Sequence, residues 1–253
     1  MNDAPTSPVT TPVDPSSKAI APAPTMRGEW RRVGAFLARP TLEDAGACGA
    51  PSAMLLRVYA LDIVLMSVLM VAAGAVAAAG IELPETALAG VEITVLIALG
   101  AIIAAPVLEE IVFRGWLSGK PGHVFALLSF AVGAAIFVAI GDSRPLISLP
   151  FVVVGFALAL ALLILLRRKP VMGWFARAFP LFFWIATAAF ALIHLGNFKE
   201  VSPWLLPLVL PQFILGALAG YVRVQIGLWG AITLHMMHNA TLIAIVVLGM
   251  TAE

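Results

Sequence analysis

The sequence predicts an all-α fold, a polytopic transmembrane bundle, and composition is the first reason. Of 253 residues, 61% are hydrophobic and 11% are charged, whereas a soluble domain is about half apolar and about a quarter charged. Several apolar runs reach about 18 residues or more, the length that a helix needs to cross about 30 Å of hydrocarbon. Short polar connectors separate the runs, which leaves no room for a large soluble domain. The net charge of +1 gives no reason to expect nucleic acid as a partner.

The segment before the first apolar run divides into two parts. Residues 1–25 hold six prolines among Ser, Thr, Ala and Asp, which predicts a disordered tail because so little apolar surface cannot offset the entropy of ordering. Residues 26–50 are a basic juxtamembrane segment, in which Trp30, Val33 and Leu37 share one helical stripe. This pattern is typical of an interfacial helix on an anionic leaflet, and a plain linker is the alternative.

Residues 51–253 are predicted to form the transmembrane domain, with about seven helices. The predicted spans are 54–80, 87–110, 123–140, 146–166, 178–195, 203–222 and 228–248. Connectors rich in Lys and Arg alternate with poor ones, beginning with five arginines from Arg27 to Arg57. Because basic residues concentrate in cytoplasmic loops, the alternation predicts a cell-membrane protein with a cytoplasmic N-terminus and an external C-terminus. An eighth helix within 87–120 would reverse the position of the C-terminus.

The first polar motif is Glu109-Glu110-x-x-x-Arg114, at the end of the second predicted span. A charge at mid-bilayer costs about 2.5 to 3.5 kcal/mol, so charged residues here need an explanation. Glu110 and Arg114 stand on one helical face, which predicts a structural ion pair. Neighbouring residues point about 100° apart, so we expect the two glutamates to have different partners and Glu109 to be free for chemistry. A juxtamembrane charge cluster is the alternative.

Two further motifs place imidazoles and an amide on later spans. They are Phe190-x-x-x-His194 and His235-x-x-x-Asn239, and His238 lies beside the second one. Together with the glutamate motif they could supply a base, a proton shuttle and oxyanion donors. The alternatives are a backbone hydrogen bond for His194 and interhelical packing bonds for the last motif. We expect His238 to be replaceable at little cost.

The three motifs, in this order, resemble the signatures of the CAAX-processing and bacteriocin-processing family of intramembrane endopeptidases, which includes the type II CAAX prenyl endopeptidases. The resemblance covers about residues 87–245, and residues 216–230 are similar to the glycine-rich stretch before the family's last motif. It implies hydrolysis of a bond in a peptide or membrane-protein substrate, near or within the lipid bilayer, with no cofactor. It also implies residue roles: Glu109 and His194 would activate water, His235 and Asn239 would stabilise the oxyanion, and Glu110 with Arg114 would be the structural ion pair.

The chain departs from the family pattern in the distance between its first two motifs. About 75 residues separate Arg114 from Phe190, which predicts an inserted helical hairpin at 123–166. The predicted spans also place Glu109 and His194 at opposite membrane faces. We therefore expect either that the second helix continues well past Glu109 or that a kinked or re-entrant stretch precedes it.

Three other functions stay open from the sequence. A zinc-dependent protease could use Glu109, His194 and His235 as ligands and leave a fourth position for water. A transporter could use Asp62 in the first span as a coupling carboxylate, although Arg57 nearby suggests a helix-end ion pair instead. A non-catalytic membrane scaffold or immunity protein would keep the fold and tolerate the loss of Glu109.

Overall fold

The computed structural model describes residues 25–42, 49–82, 84, 86, 91–141, 144–200 and 202–250. The predicted disordered tail lies outside these residues except for Thr25, and the juxtamembrane segment is described in part. Across the described residues the chain is helical, with one isolated β-bridge between Thr86 and Phe198. The predicted all-α fold is confirmed.

Nine α-helices follow one another in the described residues. They are α1 (Met26–Ala38), α2 (Pro51–Ala78), α3 (Val95–Leu99), α4 (Ala105–Arg114), α5 (Pro121–Ile140), α6 (Pro145–Leu165), α7 (Gly173–Ile193), α8 (Leu210–Gln225) and α9 (Leu228–Met250). A π-helical segment joins α3 to α4, and 3₁₀ segments follow α4, follow α7 and precede α8. Their bounds are Gly100–Ala104, Gly115–Ser118, His194–Asn197 and Pro203–Val209.

Within the described part of the chain, seven helical segments are long and apolar enough to cross a membrane. They are Pro51–Ala78, Val95–Ser118, Pro121–Ile140, Pro145–Leu165, Gly173–Asn197, Pro203–Gln225 and Leu228–Gly249. The predicted number of spans is confirmed, and the architecture is that of a multi-pass membrane protein.

The second span differs most from its predicted bounds. The prediction is 87–110, whereas the span lies at Val95–Ser118. Thr94 begins it as an N-cap, because its hydroxyl accepts the backbone N–H of Ile97 at 3.3 Å. The glutamate motif lies inside the span rather than at its end, and two of its three charges, Glu110 and Arg114, pair with each other. The expected continuation of this helix past Glu109 is therefore confirmed.

Helix α1 packs on the bundle through a different stripe from the predicted one. The prediction places Trp30, Val33 and Leu37 together, whereas Glu29, Val33 and Phe36 are the buried residues. Phe36 meets aromatic rings of α7 and α8 at centroid distances of 5.4 and 5.2 Å, and Glu29 accepts a hydrogen bond from a tyrosine of α8 at 2.7 Å. These contacts turn the apolar face toward the bundle. That α1 also lies on the membrane surface stays a prediction.

Helices α5 and α6 pack against each other as a close pair. A Cβ atom on Gly133 would lie 2.5 Å from the carbonyl oxygen of Phe151, and one on Gly155 would lie 2.7 Å from that of Ser129. Small residues at these positions let the two backbones touch, which is how membrane helices associate in the absence of a hydrophobic drive. The pair corresponds to the predicted hairpin, and its being an insertion relative to the family stays a prediction.

Helices α7 and α8 form the core that positions the polar motifs. Phe175, Phe179, Phe183 and Phe190 are fully buried along one face of α7. Helix α8 is buried from Leu215 to Val222, and two glycines in that strip leave room for the rings of Phe183 and Phe190. The wall of aromatic rings ends at Phe190, next to the polar motifs.

The alternation of basic connectors makes a testable topology prediction. Reporter fusions after residue 25 and after residue 168 should read cytoplasmic, and a fusion after residue 253 should read external, because seven spans place the termini on opposite sides. Alkaline phosphatase and green fluorescent protein fusions would measure this in cells. A cytoplasmic C-terminus would contradict the count of seven.

Candidate active site

The ion pair predicted within the first motif is present and buried. Arg114 Nη1 donates to Glu110 Oε1 at 2.8 Å, and the two side chains are 1% and 0% exposed. The Arg114 guanidinium carbon lies 3.9 Å from the centroid of the Phe190 ring, a cation–π geometry that is worth most when water is excluded. The first and second motifs are therefore in direct contact.

Helix α8 also contacts the end of α4, at the backbone next to this ion pair. Arg223, in the last turn of α8, donates from Nε to the backbone oxygen of Arg114 at 2.9 Å and from Nη2 to that of Gly115 at 3.3 Å. It satisfies carbonyls that the end of α4 would otherwise leave open. Sequence reasoning missed this residue, although a lone arginine in the last turn of an apolar helix was a signal.

Gly216 provides the space into which the first two motifs fit. A Cβ atom there would lie 2.9 Å from Arg114 Nη2 and 3.1 Å from Phe190 Cδ1. Gly216→Ala should therefore destabilise the protein by about 1 to 3 kcal/mol through overpacking, measured as a lower midpoint of thermal unfolding in detergent. Gly74→Ala is the matched control, because nothing lies within 4 Å of the added atom on this other membrane helix. Equal midpoints for the two variants would contradict the packing at Gly216.

His235 lies between the two glutamates, which corrects the expectation that they have different partners. Its Nδ1 is 2.9 Å from Glu110 Oε1, and its Nε2 is 3.7 Å from Glu109 Oε2. The two carboxylates do diverge, but an imidazole has nitrogens on opposite edges and fits between them. Glu110 is thus more than the partner of Arg114, because it also orients His235.

These contacts set the chemistry that His235 can offer. A carboxylate can only accept, so Nδ1 carries a proton that it donates to Glu110, and Nε2 is the nitrogen that faces Glu109. Within this cluster Glu109 is the accessible carboxylate: its side chain is 30% exposed, whereas those of Glu110 and His235 are 0% and 3% exposed. Glu109 is thus the acid that a water or substrate can reach.

His194 lies beside the same aromatic ring as His235. Its ring centroid is 4.9 Å from that of Phe190, and the centroid of His235 is 5.5 Å from Phe190 on a perpendicular approach. His194 Nδ1 donates to the backbone oxygen of Phe190 at 2.7 Å. The backbone bond named as the alternative therefore exists, and it leaves Nε2 as the nitrogen with an open lone pair.

Asn239 donates to a backbone oxygen that the π-helical segment of the second span leaves without an N–H partner. Ala105 N–H donates to the oxygen of Gly100, five residues back. In the same π-helical register, the oxygen of Ala101 would accept from the N–H of residue 106. That residue is Pro106, which has no N–H. Asn239 Nδ2 donates to Ala101 O at 2.8 Å instead. This hydrogen bond joins the His235–Asn239 motif to the second span, which carries the glutamate motif.

The alternative zinc site is not formed by the described residues. No group of three His, Cys, Asp or Glu side chains among them is arranged to hold a metal ion. The three proposed ligands were Glu109, His194 and His235; Nδ1 of each histidine is engaged in another bond, which leaves Nε2 as the nitrogen that could ligate. The arrangement of the described residues therefore gives the zinc alternative no support.

Asp62 and His238 form a second buried pair, which the sequence reasoning did not foresee. His238 Nδ1 donates to Asp62 Oδ2 at 2.8 Å, and the side chains are 5% and 0% exposed. Asp62 therefore bonds His238 rather than the expected Arg57. The expectation that His238 is replaceable at little cost is also revised, because its loss would strand a buried carboxylate.

A comparison with protein families decides the family of this chain. Residues 91–241 match the family model described as type II CAAX prenyl endopeptidase Rce1-like. The chain belongs to this family. The match includes all three polar motifs and confirms the resemblance seen in the sequence. No curated protein and no solved structure matches the chain.

Proposed function

We propose that this member of the Rce1-like family is an intramembrane endopeptidase in which Glu109 activates the attacking water. The family is one of type II CAAX prenyl endopeptidases, and the chain has the multi-pass architecture that such a reaction needs. The observation that carries the proposal is the sharing of His235 by two carboxylates, of which Glu109 alone is accessible. Glu110 is neutralised by Arg114, so the free negative charge of the motif resides on Glu109.

The proposed reaction begins with transfer of a proton from water to the Glu109 carboxylate. The water oxygen bonds to the peptide carbonyl carbon, and the carbonyl oxygen becomes an oxyanion. His194 contributes its unprotonated Nε2, which can accept a hydrogen bond from the same water. Collapse of the tetrahedral intermediate breaks the C–N bond, and the leaving amine takes the proton that Glu109 had accepted.

His235 and Asn239 are proposed to stabilise the oxyanion. In the doubly protonated ring, His235 can donate from Nε2 to the oxyanion while Nδ1 remains bonded to Glu110. Asn239 uses its Nδ2 to bond Ala101 O, and an amide nitrogen carries a second N–H that can reach a ligand.

The proposed substrate is a peptide, or a membrane-protein segment, that reaches Glu109 from the membrane. The family description suggests a prenylated cysteine near the C-terminus. The proposed reaction uses side chains alone: Glu109 is the base and carries the proton, and His235 and Asn239 are the oxyanion donors.

The direct test uses the purified protein in liposomes with an internally quenched peptide that ends in a farnesylated CAAX sequence. Cleavage should continue in a chelator, and a product cut after the farnesylated cysteine should appear by mass spectrometry. Activity that a chelator abolishes and zinc restores would overturn the metal-free mechanism. Cleavage that is equal for wild type and Glu109→Gln would overturn the role of Glu109.

A further inference from the structure

The buried pair of Asp62 and His238 lies outside the proposed reaction, yet it acts on the helix that carries two of the site residues. His238 is three residues after His235 and directly before Asn239 on α9. Each of these side chains bonds a different partner: Asp62 on α2, Glu110 on α4 and the π-helical segment. These three polar bonds constrain the rotation of α9 about its axis, and the hydroxyls of Tyr59 and Thr241 make a further contact between α2 and α9.

Packing holds the first half of α9, where Ala231, Ile232 and Leu234 are buried, but contributes little in the second half. No described residue of α9 beyond His238 is buried, and the apolar side chains from Ile245 to Leu248 are exposed and would face lipid. Contacts with lipid chains have no preferred direction, because lipid is as apolar as the side chains. Near the middle of α9, the polar bonds therefore add to packing in setting the orientation of the helix.

Helix α2 is attached to the bundle in a similar way. Its buried residues are Met54, Val58, Asp62 and Met66, which form one stripe at four-residue intervals, and nothing described beyond Met66 is buried on this helix. Asp62 is the polar residue of that stripe, and its bond to His238 joins α2 to α9. Asp62 Oδ1 has no hydrogen-bond partner among the described residues, so the interaction with His238 is the one that holds this carboxylate.

We propose that Asp62 is a positioning residue of the candidate active site, which acts through His238 to fix the rotation of α9 and so the directions of His235 and Asn239. The imidazole of His238 is the group through which Asp62 acts, because it is bonded to Asp62 and is part of α9. The proposal rests on the proposed function for its catalytic consequence, whereas its structural consequence can be measured without any substrate.

The structural consequence is visible in the imidazole signals of the full-length protein in nanodiscs. The chain has four histidines, so selective ¹⁵N-histidine labelling gives a simple spectrum that single substitutions can assign. In Asp62→Ala the Nδ1–H signal of His238 should be lost and that of His235 should shift or broaden. Asp62→Asn should retain both signals, because the amide oxygen can still accept from Nδ1–H.

Two further variants make the result decisive. Asp62→Ala with His238→Ala leaves neither partner stranded, so it should fold even where the single variant fails, and it should perturb His235 in the same way. Ser67→Ala is the control on α2, because this exposed hydroxyl bonds only to the backbone oxygen of Ile63; it should leave all signals unchanged. An unshifted His235 signal in both Asp62→Ala variants would overturn the proposal.

The catalytic consequence is measured with the farnesylated peptide. Asp62→Ala should lower kcat by about tenfold to a hundredfold per folded molecule at unchanged KM, since a displacement of about 1 Å at a catalytic group can cost a hundredfold. Asp62→Asn should retain most of the activity. If Asp62→Asn is as slow as Asp62→Ala, the hydrogen bond is not what matters and the proposal fails. An inactive wild type would instead refute the proposed function, and the histidine signals would still decide the role of Asp62.

Discussion

Glu109→Gln should accumulate to the wild-type level and lose hydrolysis, whereas Glu110→Gln should fail to accumulate. Glu109 is partly exposed and makes no short bond, so its neutral isostere leaves the packing intact and removes the proposed base. Glu110 is the buried countercharge of Arg114. Breaking such a pair by removing one partner costs about 3 to 5 kcal/mol. Quantitative blotting of membranes together with the farnesylated-peptide assay would measure both effects.

A matched control separates charge from packing in this experiment. Glu110→Gln with Arg114→Met removes both charges, and it should recover part of the abundance because neither partner is then stranded. Abundance is the readout of this control, because the amide oxygen introduced by Glu110→Gln can still accept from His235 Nδ1–H. Equal abundance of Glu109→Gln and Glu110→Gln would contradict the division of labour between the two glutamates.

Asn239→Ala should slow hydrolysis by about a hundredfold to a thousandfold without abolishing it, the usual effect of losing one oxyanion donor. Glu109→Ala should fall to background. The two changes combined should be no worse than Glu109→Ala alone, because groups that act as a unit are not additive. Single-turnover rates in liposomes would provide the comparison.

The bond from Asn239 to Ala101 O suggests a second cause for the same loss, and Pro106 distinguishes the two. Pro106→Ala returns an N–H to the second span, which can take over Ala101 O. If Asn239 is an oxyanion donor, adding Pro106→Ala to Asn239→Ala should leave the rate low. Recovery of the rate would instead show that Asn239 serves to complete the π-helical segment.

Much of the fold follows from hydropathy, because helices in lipid must be long, apolar and internally bonded. The second span is the exception. Hydropathy places the end of this helix at its charged motif, since it treats Glu109 and Glu110 as residues that must reach water. Burial of Glu110 depends on Arg114 and His235, and the contact with His235 joins residues far apart in the sequence.

The sequence predicts which residues form the site better than it predicts the bonds between them. Four-residue spacing reveals Glu110 with Arg114, because both lie on one helix. It cannot reveal the contact between Arg223 and the end of α4, or that between Asp62 and His238, because these depend on how separate helices pack. The role of Pro106 is equally hidden, since the π-helical register decides which carbonyl its missing N–H leaves open, Ala101 rather than Ile102.

The central claim is that this chain hydrolyses peptide bonds through Glu109, and a comparison of protein termini in cells tests it even while the substrate is unidentified. Membranes from cells that express the wild type or Glu109→Gln at equal levels would be analysed for new N- and C-termini by mass spectrometry. If Glu109 is the catalytic base, some termini should appear only with the wild type and should map to membrane-embedded or prenylated segments. Identical termini in the two samples, with Glu109→Gln supporting every function of the wild type in the cell, would contradict it and favour a non-catalytic scaffold.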